Sequence, residues 1–268
     1  MPEGDTVWLT AHRLDRALTG RALTACDLRV PALATADLLG RTVTGVLARG
    51  KHVLTRIDDD LTLHSHLRMD GSWHISAAGN RGARHQREHT LRVILGNAEW
   101  TATGYRIHDL RLLRRDAEHV VVGHLGPDLL GPDWDAAAAV ANLRGQPRTA
   151  IGEALLDQRL LAGIGNLYKA EVLFVERIDP WLPVGDVVDL DSVVATARRL
   201  LRMNRDHPEQ STTGYTGRGR EHWVYERGGQ PCLRCRTPIR RAQQGAAPRA
   251  RSTYWCPRCQ PGPGPSGG

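Results

Sequence analysis

The stretch CLRCRTPIRRAQQGAAPRARSTYWCPRC, residues 232–259, decides the architecture of the C-terminal end of the chain. It carries two Cys-x2-Cys pairs separated by 20 residues, formed by Cys232, Cys235, Cys256 and Cys259. Two such pairs of thiolates complete a closed tetrahedral zinc site and leave no position for a catalytic water. Because so short a segment cannot bury a core of its own, bound metal supplies its folding energy. We therefore predict a β-hairpin closed by one structural Zn²⁺, in preference to disulfides or unpaired thiols.

The hairpin lies in the most basic part of the chain. Between Arg198 and Arg258 there are 14 arginines and four acidic residues, and the whole chain has a net charge of +7. Lysine is scarce, with only Lys51 and Lys169. Arginine offers a planar fork to phosphate oxygens, and a rigid hairpin that carries Arg251 suits phosphate contact. The charge therefore favours a nucleic acid as partner.

Composition and the N-terminal sequence exclude other classes of protein. The chain is 41% hydrophobic, and no apolar run approaches the roughly 18 residues that a membrane helix needs. The N-terminus has neither a basic start nor an apolar stretch, so we expect no secretory signal and a cytosolic protein.

Hydrophobic periodicity divides the chain upstream of the hairpin into two domains. Apolar residues repeat at helical spacing over residues 5–18, with Asp5 or Thr6 as the expected cap and Gly20 as the end. Short β-like runs follow, typical of an antiparallel sandwich or barrel: 42–47, 52–57, 61–67, 90–95, 100–103 and 111–113. Helical patterns come later, over 134–143, 149–161, 166–175 and 189–203.

These patterns predict an α+β protein. An N-terminal antiparallel β-sandwich with a flanking helix occupies residues 1–122, and a Gly- and Pro-rich linker spans 123–133. A helical domain follows over 134–228, then the zinc hairpin over 229–260. The tail of Pro, Gly and Ser, residues 261–268, is expected to be disordered.

The N-terminal Pro2-Glu3 pair carries groups suited to catalysis if Met1 is removed. Pro2 then carries a free secondary amine, and terminal amines have a reference pKa of about 8, so a useful fraction is unprotonated at neutral pH. Such an amine can attack a carbonyl-like carbon and form an iminium. The adjacent carboxyl of Glu3 can exchange protons with the same substrate.

Four separated motifs occur in one order along the chain: Pro-Glu-Gly at 2–4, RGKH at 49–52, GIGNLYKAE at 163–171 and RSTYWCPRCQ at 251–260. Together they closely resemble the formamidopyrimidine-DNA glycosylase/endonuclease VIII family, over nearly the whole chain from Pro2 to Gln260. The resemblance implies a helix–two-turn–helix element in the helical domain. It also implies a bacterial, monomeric enzyme of base excision repair that acts on duplex DNA with damaged bases or abasic sites.

The resemblance assigns catalytic roles to four residues. Pro2 resembles the nucleophile that attacks the sugar C1′ of a damaged nucleotide, and Glu3 the acid/base that opens the sugar and helps to expel the base. Lys51 resembles a lysine that contacts phosphate near the lesion and assists elimination; alone, it would be a solvated turn lysine. Arg251 resembles the hairpin arginine that grips the flanking phosphates and supports strand cleavage.

Further residues are predicted to contact DNA. Asn166 resembles the asparagine that holds phosphate at a helix start, although an N-cap role alone is compatible with its position. Lys169 on the same helix faces either phosphate or solvent, and Glu171 forms an internal hydrogen bond or pair. The segment 65–71 resembles the wedge loop that fills the hole left by a flipped base, with Arg68 beside Met69 as the apolar filler; the alternative is a core methionine.

The N-terminal sequence and the lack of a second wedge residue favour one branch of the family. The formamidopyrimidine branch, which prefers oxidised purines, begins Pro-Glu-Leu-Pro-Glu and uses an additional Phe as a wedge. Here the start is Pro-Glu-Gly-Asp-Thr, and the only phenylalanine is Phe174. We therefore expect an endonuclease VIII-type enzyme that removes oxidised pyrimidines and cleaves the strand by β,δ-elimination.

Three alternatives stand beside this prediction. One is formamidopyrimidine-type activity on oxidised purines. Another is a non-catalytic protein that binds damaged DNA. The third is a metal-dependent nuclease, supported only by the acidic cluster 58–60, which fits a turn between strands better.

Overall fold

The computed structural model describes residues 2–79, 89–217, 219–248 and 250–265. The chain divides into two compact units, Met1–His124 and Leu125–Gly268. Each unit has its own hydrophobic core. Among the described residues, no helix is both long enough and apolar enough to cross a membrane.

The first unit begins with helix α1 (Gly4–Leu18). Its buried face repeats every three or four residues, through Val7, Ala11, Leu14 and Leu18. The N-cap position belongs to Glu3, so the expectation that Asp5 or Thr6 caps the helix is wrong, and α1 starts earlier. Gly20, with φ of 76°, follows the helix in the left-handed conformation that glycine favours.

In the described part of the first unit, nine antiparallel strands form two sheets. The strands are β1 (Arg21–Ala22), β2 (Ala25–Leu28), β3 (Thr42–Arg49), β4 (His52–Ile57), β5 (Leu61–His66), β6 (Ser72–Ala77), β7 (Leu91–Gly96), β8 (Trp100–Tyr105) and β9 (Asp109–Arg114). One sheet has the order β1-β3-β4-β5-β9, and the other has the order β2-β7-β8-β6. Apolar residues of α1 and of both sheets share one core. The predicted antiparallel sandwich with a flanking helix is therefore confirmed.

The predicted linker, residues 123–133, is wrong for most of its length. A short helix, α2 (His119–Val122), ends the first unit, and the residues from Leu125 onward belong to the second unit. Leu129 is fully buried in the second core, and the backbone N–H of Gly126 donates to the carbonyl of Gln158. Gly and Pro here mark tight turns of a packed segment.

The second unit is helical, with α3 (Ala136–Arg144), α4 (Ile151–Ala154), α5 (Asn166–Val175) and α6 (Leu190–Asn204). Three of these match predicted helices within one or two residues. The predicted helix over 149–161 stops at Ala154, because Asp157 bonds to the backbone N–H of Arg159 and forms a turn. Two turns therefore separate α4 from α5.

A β-hairpin of β10 (Arg240–Gln244) and β11 (Arg251–Trp255) follows. The tail after it is not disordered as far as it is described. The N–H of Gly264 donates to Asp179 Oδ2 at 3.0 Å, and Gly262 lies against the same side chain. Residues 266–268 lie outside the described residues.

Candidate functional site

The N-terminal Pro2-Glu3 pair and the Lys51 turn lie at the same end of the first unit. Helix α1 runs antiparallel to β3: the N–H of Gly20 donates to the Val43 carbonyl, and Asp15 accepts from the N–H of Val46. From Asp15 back to Glu3 the helix rises about 18 Å. From Val46 on to Lys51 the strand advances about 17 Å in the same direction. The two segments therefore reach the same end of the sandwich.

Glu3 and Lys51 are held by different local structures. Glu3 is fully buried at the N-cap of α1, and Pro2 is half-buried beside it. Lys51 is half-buried in the two-residue turn between β3 and β4. Gly50, the first residue of that turn, has φ of 57°, a conformation that tight hairpin turns require and glycine adopts without strain.

The predicted wedge loop, residues 65–71, leaves the sheet at the same end. Strand β5 ends at His66, which pairs in register with His52, the residue after Lys51. Met69 is 66% exposed, so the alternative of a core methionine is wrong. Gly71 closes the loop, and a Cβ there would lie 2.5 Å from the carbonyl oxygen of Leu67. The loop therefore presents an apolar side chain from a tight, glycine-dependent turn.

Arg68 is exposed but has an intramolecular partner. Its guanidinium lies 3.0 Å from Asp109 Oδ2. Burial alone would raise the pKa of Asp109, but the hydrogen bond from Arg68 and the neighbouring positive groups lower that pKa below its usual range. The backbone of Arg68 has φ of 53°, which is uncommon for a residue other than glycine. Its ion pair steadies the loop that carries Met69.

A cluster of histidines beside Lys51 was not predicted. Nδ1 of His52 lies 2.8 Å from Nε2 of His64, and the ring of His66 packs edge-on against His52. Burial, followed by the neighbouring histidines, lowers the pKa of His52 to about 3. Burial also lowers the pKa values of His64 and His66 to about 4. The His-x-His pattern in a strand, facing one side, is the sequence signal that indicates this cluster.

The four cysteines of the second unit form the predicted metal site. Their sulfur atoms all lie within 4.8 Å of one another; Cys232 and Cys259 are 4.0 Å apart, and Cys235 and Cys256 are 3.4 Å apart. Tetrahedral zinc with bonds of about 2.3 Å places its sulfurs about 3.8 Å apart. These separations exclude disulfides, which need about 2.05 Å. The donor set fits one structural zinc.

The zinc site also packs on helix α5. Phe174 is fully buried, stacks on Trp223 and lies in a small cluster with Cys232 and Cys256. The guanidinium of Arg234, between the first two cysteines, sits 4.4 Å from the centre of the Phe174 ring. The hairpin is thus attached to the helical unit by apolar contact as well as closed by metal.

Asn166 opens helix α5 but does not cap it. The N-cap residue is Gly165, which has no side chain, so the N-cap alternative for Asn166 is wrong. Its Nδ2 donates to the carbonyl of Ser252 in β11 at 2.8 Å, and its Oδ1 is buried without a hydrogen-bond partner among the described residues. Helix starts are common positions for phosphate groups, so Asn166 lies where a phosphate contact is expected.

The expectation that Lys169 contacts DNA is wrong. Its side chain is fully buried, and Nζ donates to Thr253 Oγ1 at 2.6 Å. It lies one helical turn from Asn166, on the face of α5 that contacts β11 rather than solvent. The internal hydrogen bonds expected for Glu171 are confirmed, since its carboxylate accepts from the backbone N–H groups of Val224 and Tyr225.

Arg251 is exposed at the first position of β11, where it pairs in register with Gln244. Its guanidinium bonds locally, to the carbonyl of Ala250. The side chain is therefore free to meet a ligand, while its backbone is fixed by the hairpin ladder.

Three family models match successive parts of the chain. Residues 1–115 match the formamidopyrimidine-DNA glycosylase N-terminal domain, and residues 125–201 match the formamidopyrimidine-DNA glycosylase H2TH domain. Residues 229–262 match the zinc finger found in FPG and IleRS.

Bacterial proteins are similar over their whole length. The probable endonuclease 8 2 of Streptomyces coelicolor is 56% identical over 273 residues, covering 100% of this chain and 97% of that protein. The DNA-(apurinic or apyrimidinic site) lyase Nei2 of Mycolicibacterium smegmatis is 45% identical over 97% of this chain and 99% of its own. The fold is also similar to Lactococcus lactis Fpg in complex with abasic-site DNA, with a TM-score of 0.79, 25% identity, and coverage of 96% and 99%.

Proposed function

The chain belongs to the formamidopyrimidine-DNA glycosylase/endonuclease VIII family, and from that premise we propose a bifunctional DNA glycosylase and abasic-site lyase of base excision repair that acts through Pro2. One observation carries the proposal. Pro2-Glu3, the Lys51 turn and the exposed Met69 loop all reach the same end of the sandwich. The groups that we propose as nucleophile, acid/base, phosphate contact and base-replacing wedge thus share one end of the first unit.

The proposed chemistry starts at the Pro2 amine. It attacks C1′ of a flipped nucleotide, and the C1′–base bond breaks as Glu3 delivers a proton while the sugar ring opens. The resulting iminium makes the C2′ proton acidic. Its removal eliminates the 3′ phosphate, and a second elimination releases the sugar from the 5′ phosphate. The ammonium of Lys51 stabilises the charge of the phosphate next to the lesion.

The second unit supplies the grip on the DNA backbone. We assign the helical part, residues 134–228, and the zinc hairpin, residues 229–260, to DNA binding. Asn166 lies at the N-terminus of α5, a position that favours phosphate, and Arg251 offers a guanidinium to the phosphates that flank the lesion. The partner is duplex DNA with damaged bases or abasic sites, as in the Lactococcus lactis complexes. We propose that the protein acts in the bacterial cytoplasm, because its relatives are bacterial. The monomeric state that the family resemblance implies is part of the same proposal.

The substrate proposal is oxidised pyrimidines. The relatives named endonuclease 8 belong to the branch for which the sequence predicts this preference. Phe174 is fully buried in the cluster that packs the zinc site on α5, so the only phenylalanine of the chain is not an additional wedge.

Borohydride trapping tests the proposed nucleophile. Untagged protein is incubated with a duplex that holds one abasic site, and reduction should freeze a covalent protein–DNA complex whose linkage maps to Pro2. The complex should vanish when the N-terminal amine is blocked by acetylation, while DNA binding persists. Wild-type protein that binds the duplex but gives neither a trapped complex nor strand cleavage would indicate the non-catalytic alternative.

Glu3→Gln separates the two activities. We expect removal of an oxidised pyrimidine to fall by about 100-fold or more, because the proton donor is lost. Cleavage at a preformed abasic site should persist, since no base has to leave. Glu209→Gln, at an exposed carboxylate after α6, is the matched control. Equal loss of both activities in Glu3→Gln would contradict the role assigned to Glu3.

A further inference from the structure

Helix α5 is connected to the hairpin by side chains that the proposed function does not use. Lys169 and Asn166 lie three residues apart on one helix face. Lys169 Nζ donates to Thr253 Oγ1 at 2.6 Å, and Asn166 Nδ2 donates to the Ser252 carbonyl at 2.8 Å. These two acceptors belong to the two residues directly after Arg251.

The connection continues through both strands of the hairpin. Thr253 Oγ1 donates to Gln244 Oε1 at 3.0 Å, and Gln244 Nε2 donates to the Pro180 carbonyl at 2.7 Å. Lys169, Thr253 and Gln244 are all buried. The hydrogen bonds all run in one direction, from Lys169 through Thr253 and Gln244 to the Pro180 carbonyl, so each bond polarises the next. Leaving any of these buried groups unpaired costs free energy, so this series of hydrogen bonds is expected to stay formed.

Gly152 in α4 leaves space for the last of these hydrogen bonds, from Gln244 to the Pro180 carbonyl. A Cβ at this position would lie 2.5 Å from Gln244 Oε1 and 2.9 Å from the Pro180 carbonyl oxygen. The fold therefore leaves a glycine-sized space where the Gln244 amide crosses to the loop after α5. Gln244 is also the residue that pairs in register with Arg251.

Three neighbours of Arg251, namely Gln244, Ser252 and Thr253, are thus tied to the helical unit by hydrogen bonds. The cross-strand neighbour is held through Pro180, and the following two residues are held by Asn166 and Lys169. Among the described residues, the Arg251 guanidinium itself makes only a local bond, to the Ala250 carbonyl. We propose that Lys169 and Thr253 are positioning residues that act through Arg251, fixing where its guanidinium meets DNA phosphate. This inference rests on the proposed role of Arg251.

A double-mutant cycle tests the inference. Lys169→Met and Thr253→Val are each made in the wild-type protein and in Arg251→Ala, and equilibrium binding to a duplex with one abasic site is measured. In the wild-type background we expect each change to weaken binding by about 10-fold, whereas in Arg251→Ala the same change should cost less than about 2-fold. Thr24→Val, at an exposed threonine of the first unit, is the control, and binding should not change.

The outcomes separate positioning from general stability. If Lys169→Met and Thr253→Val weaken binding equally with and without Arg251, they act only by maintaining the fold, and the inference is overturned. Zinc content and circular dichroism show whether each variant folds. If Lys169→Met unfolds, Thr253→Val still tests the inference, because it removes one hydroxyl and leaves the shape of the side chain unchanged. The cycle measures binding alone, so a failure of the trapping experiment on wild-type protein remains a separate result.

Discussion

The wedge role that we propose for Met69 depends on where this exposed apolar side chain lies. Burying it in the protein would be the ordinary use of a methionine, yet it projects from a turn closed by Gly71 and braced by the Arg68–Asp109 pair. Flipping a base leaves a gap in the duplex, and an apolar side chain that fills the gap lowers the cost of unstacking.

Met69→Ala should slow base removal from duplex DNA by about 10-fold, because unstacking costs a few kcal/mol and the filler is lost. Cleavage of an abasic site in single-stranded DNA should change little, since no stack has to be refilled. Met203→Ala, at an exposed methionine on α6, is the matched control. A variant that slows single-strand and duplex reactions alike would show that Met69 does not act as a wedge.

At the scale of elements, the strands that sequence patterns missed have a common cause. Strand β1 is an edge of the first sheet, and β2 and β6 are the two edges of the second. Their side chains are mostly half-buried or exposed, so no apolar alternation marks them. Central strands such as β4, where three consecutive side chains are buried, were predicted with their observed bounds. Sequence patterns thus missed three of the four described edge strands, and the fourth, β9, was predicted only over residues 111–113.

Predictability of the candidate site follows the same logic. The metal ligands were predictable because spacing alone encodes them. Lys169 was not, because a lysine in an amphipathic pattern gives no sign that a threonine 84 residues later accepts its hydrogen bond. The histidine cluster depends on the pairing of β4 with β5, which one sequence does not display.

The DNA-binding role of the zinc hairpin can be tested by removing its metal. Chelation of the metal should unfold β10 and β11 and weaken binding to abasic-site DNA by about 10-fold or more, because charge-assisted contacts to phosphate are lost. Metal analysis, circular dichroism and binding are measured together, and restoring zinc should restore all three. Metal-free protein that binds DNA normally would contradict the DNA-gripping role of the hairpin.

For the whole molecule, the histidine cluster links stability to pH. One buried ring, His64, and two half-buried rings, His52 and His66, have folded-state pKa values of about 3 to 4, against about 6.5 in the unfolded chain. As pH falls below about 6.5, these histidines bind protons in the unfolded state but stay neutral in the folded state. The free energy of unfolding therefore decreases between about pH 6.5 and pH 4. The bond between His52 and His64 also needs at least one neutral ring, because two protonated rings have no acceptor.

Urea unfolding at about pH 7 and about pH 5.5 measures this dependence. We expect wild-type protein to lose about 1 kcal/mol or more of unfolding free energy between the two values. His64→Gln should lose less, since one of the three groups is gone. His207→Gln, at an exposed histidine after α6, should follow the wild type. An unchanged pH dependence in His64→Gln would show that the cluster is not its source.

The hairpin register constrains how the chain can vary in length. The metal ligand Cys256 lies five positions after Arg251, and adjacent side chains of a strand point to opposite faces. One residue gained or lost between them would turn Arg251 to the other face while the zinc still bound. The connection at 245–250 carries no such constraint. Insertions and deletions among relatives should therefore fall in that turn, and the interval from Arg251 to Cys256 should keep one length throughout the family.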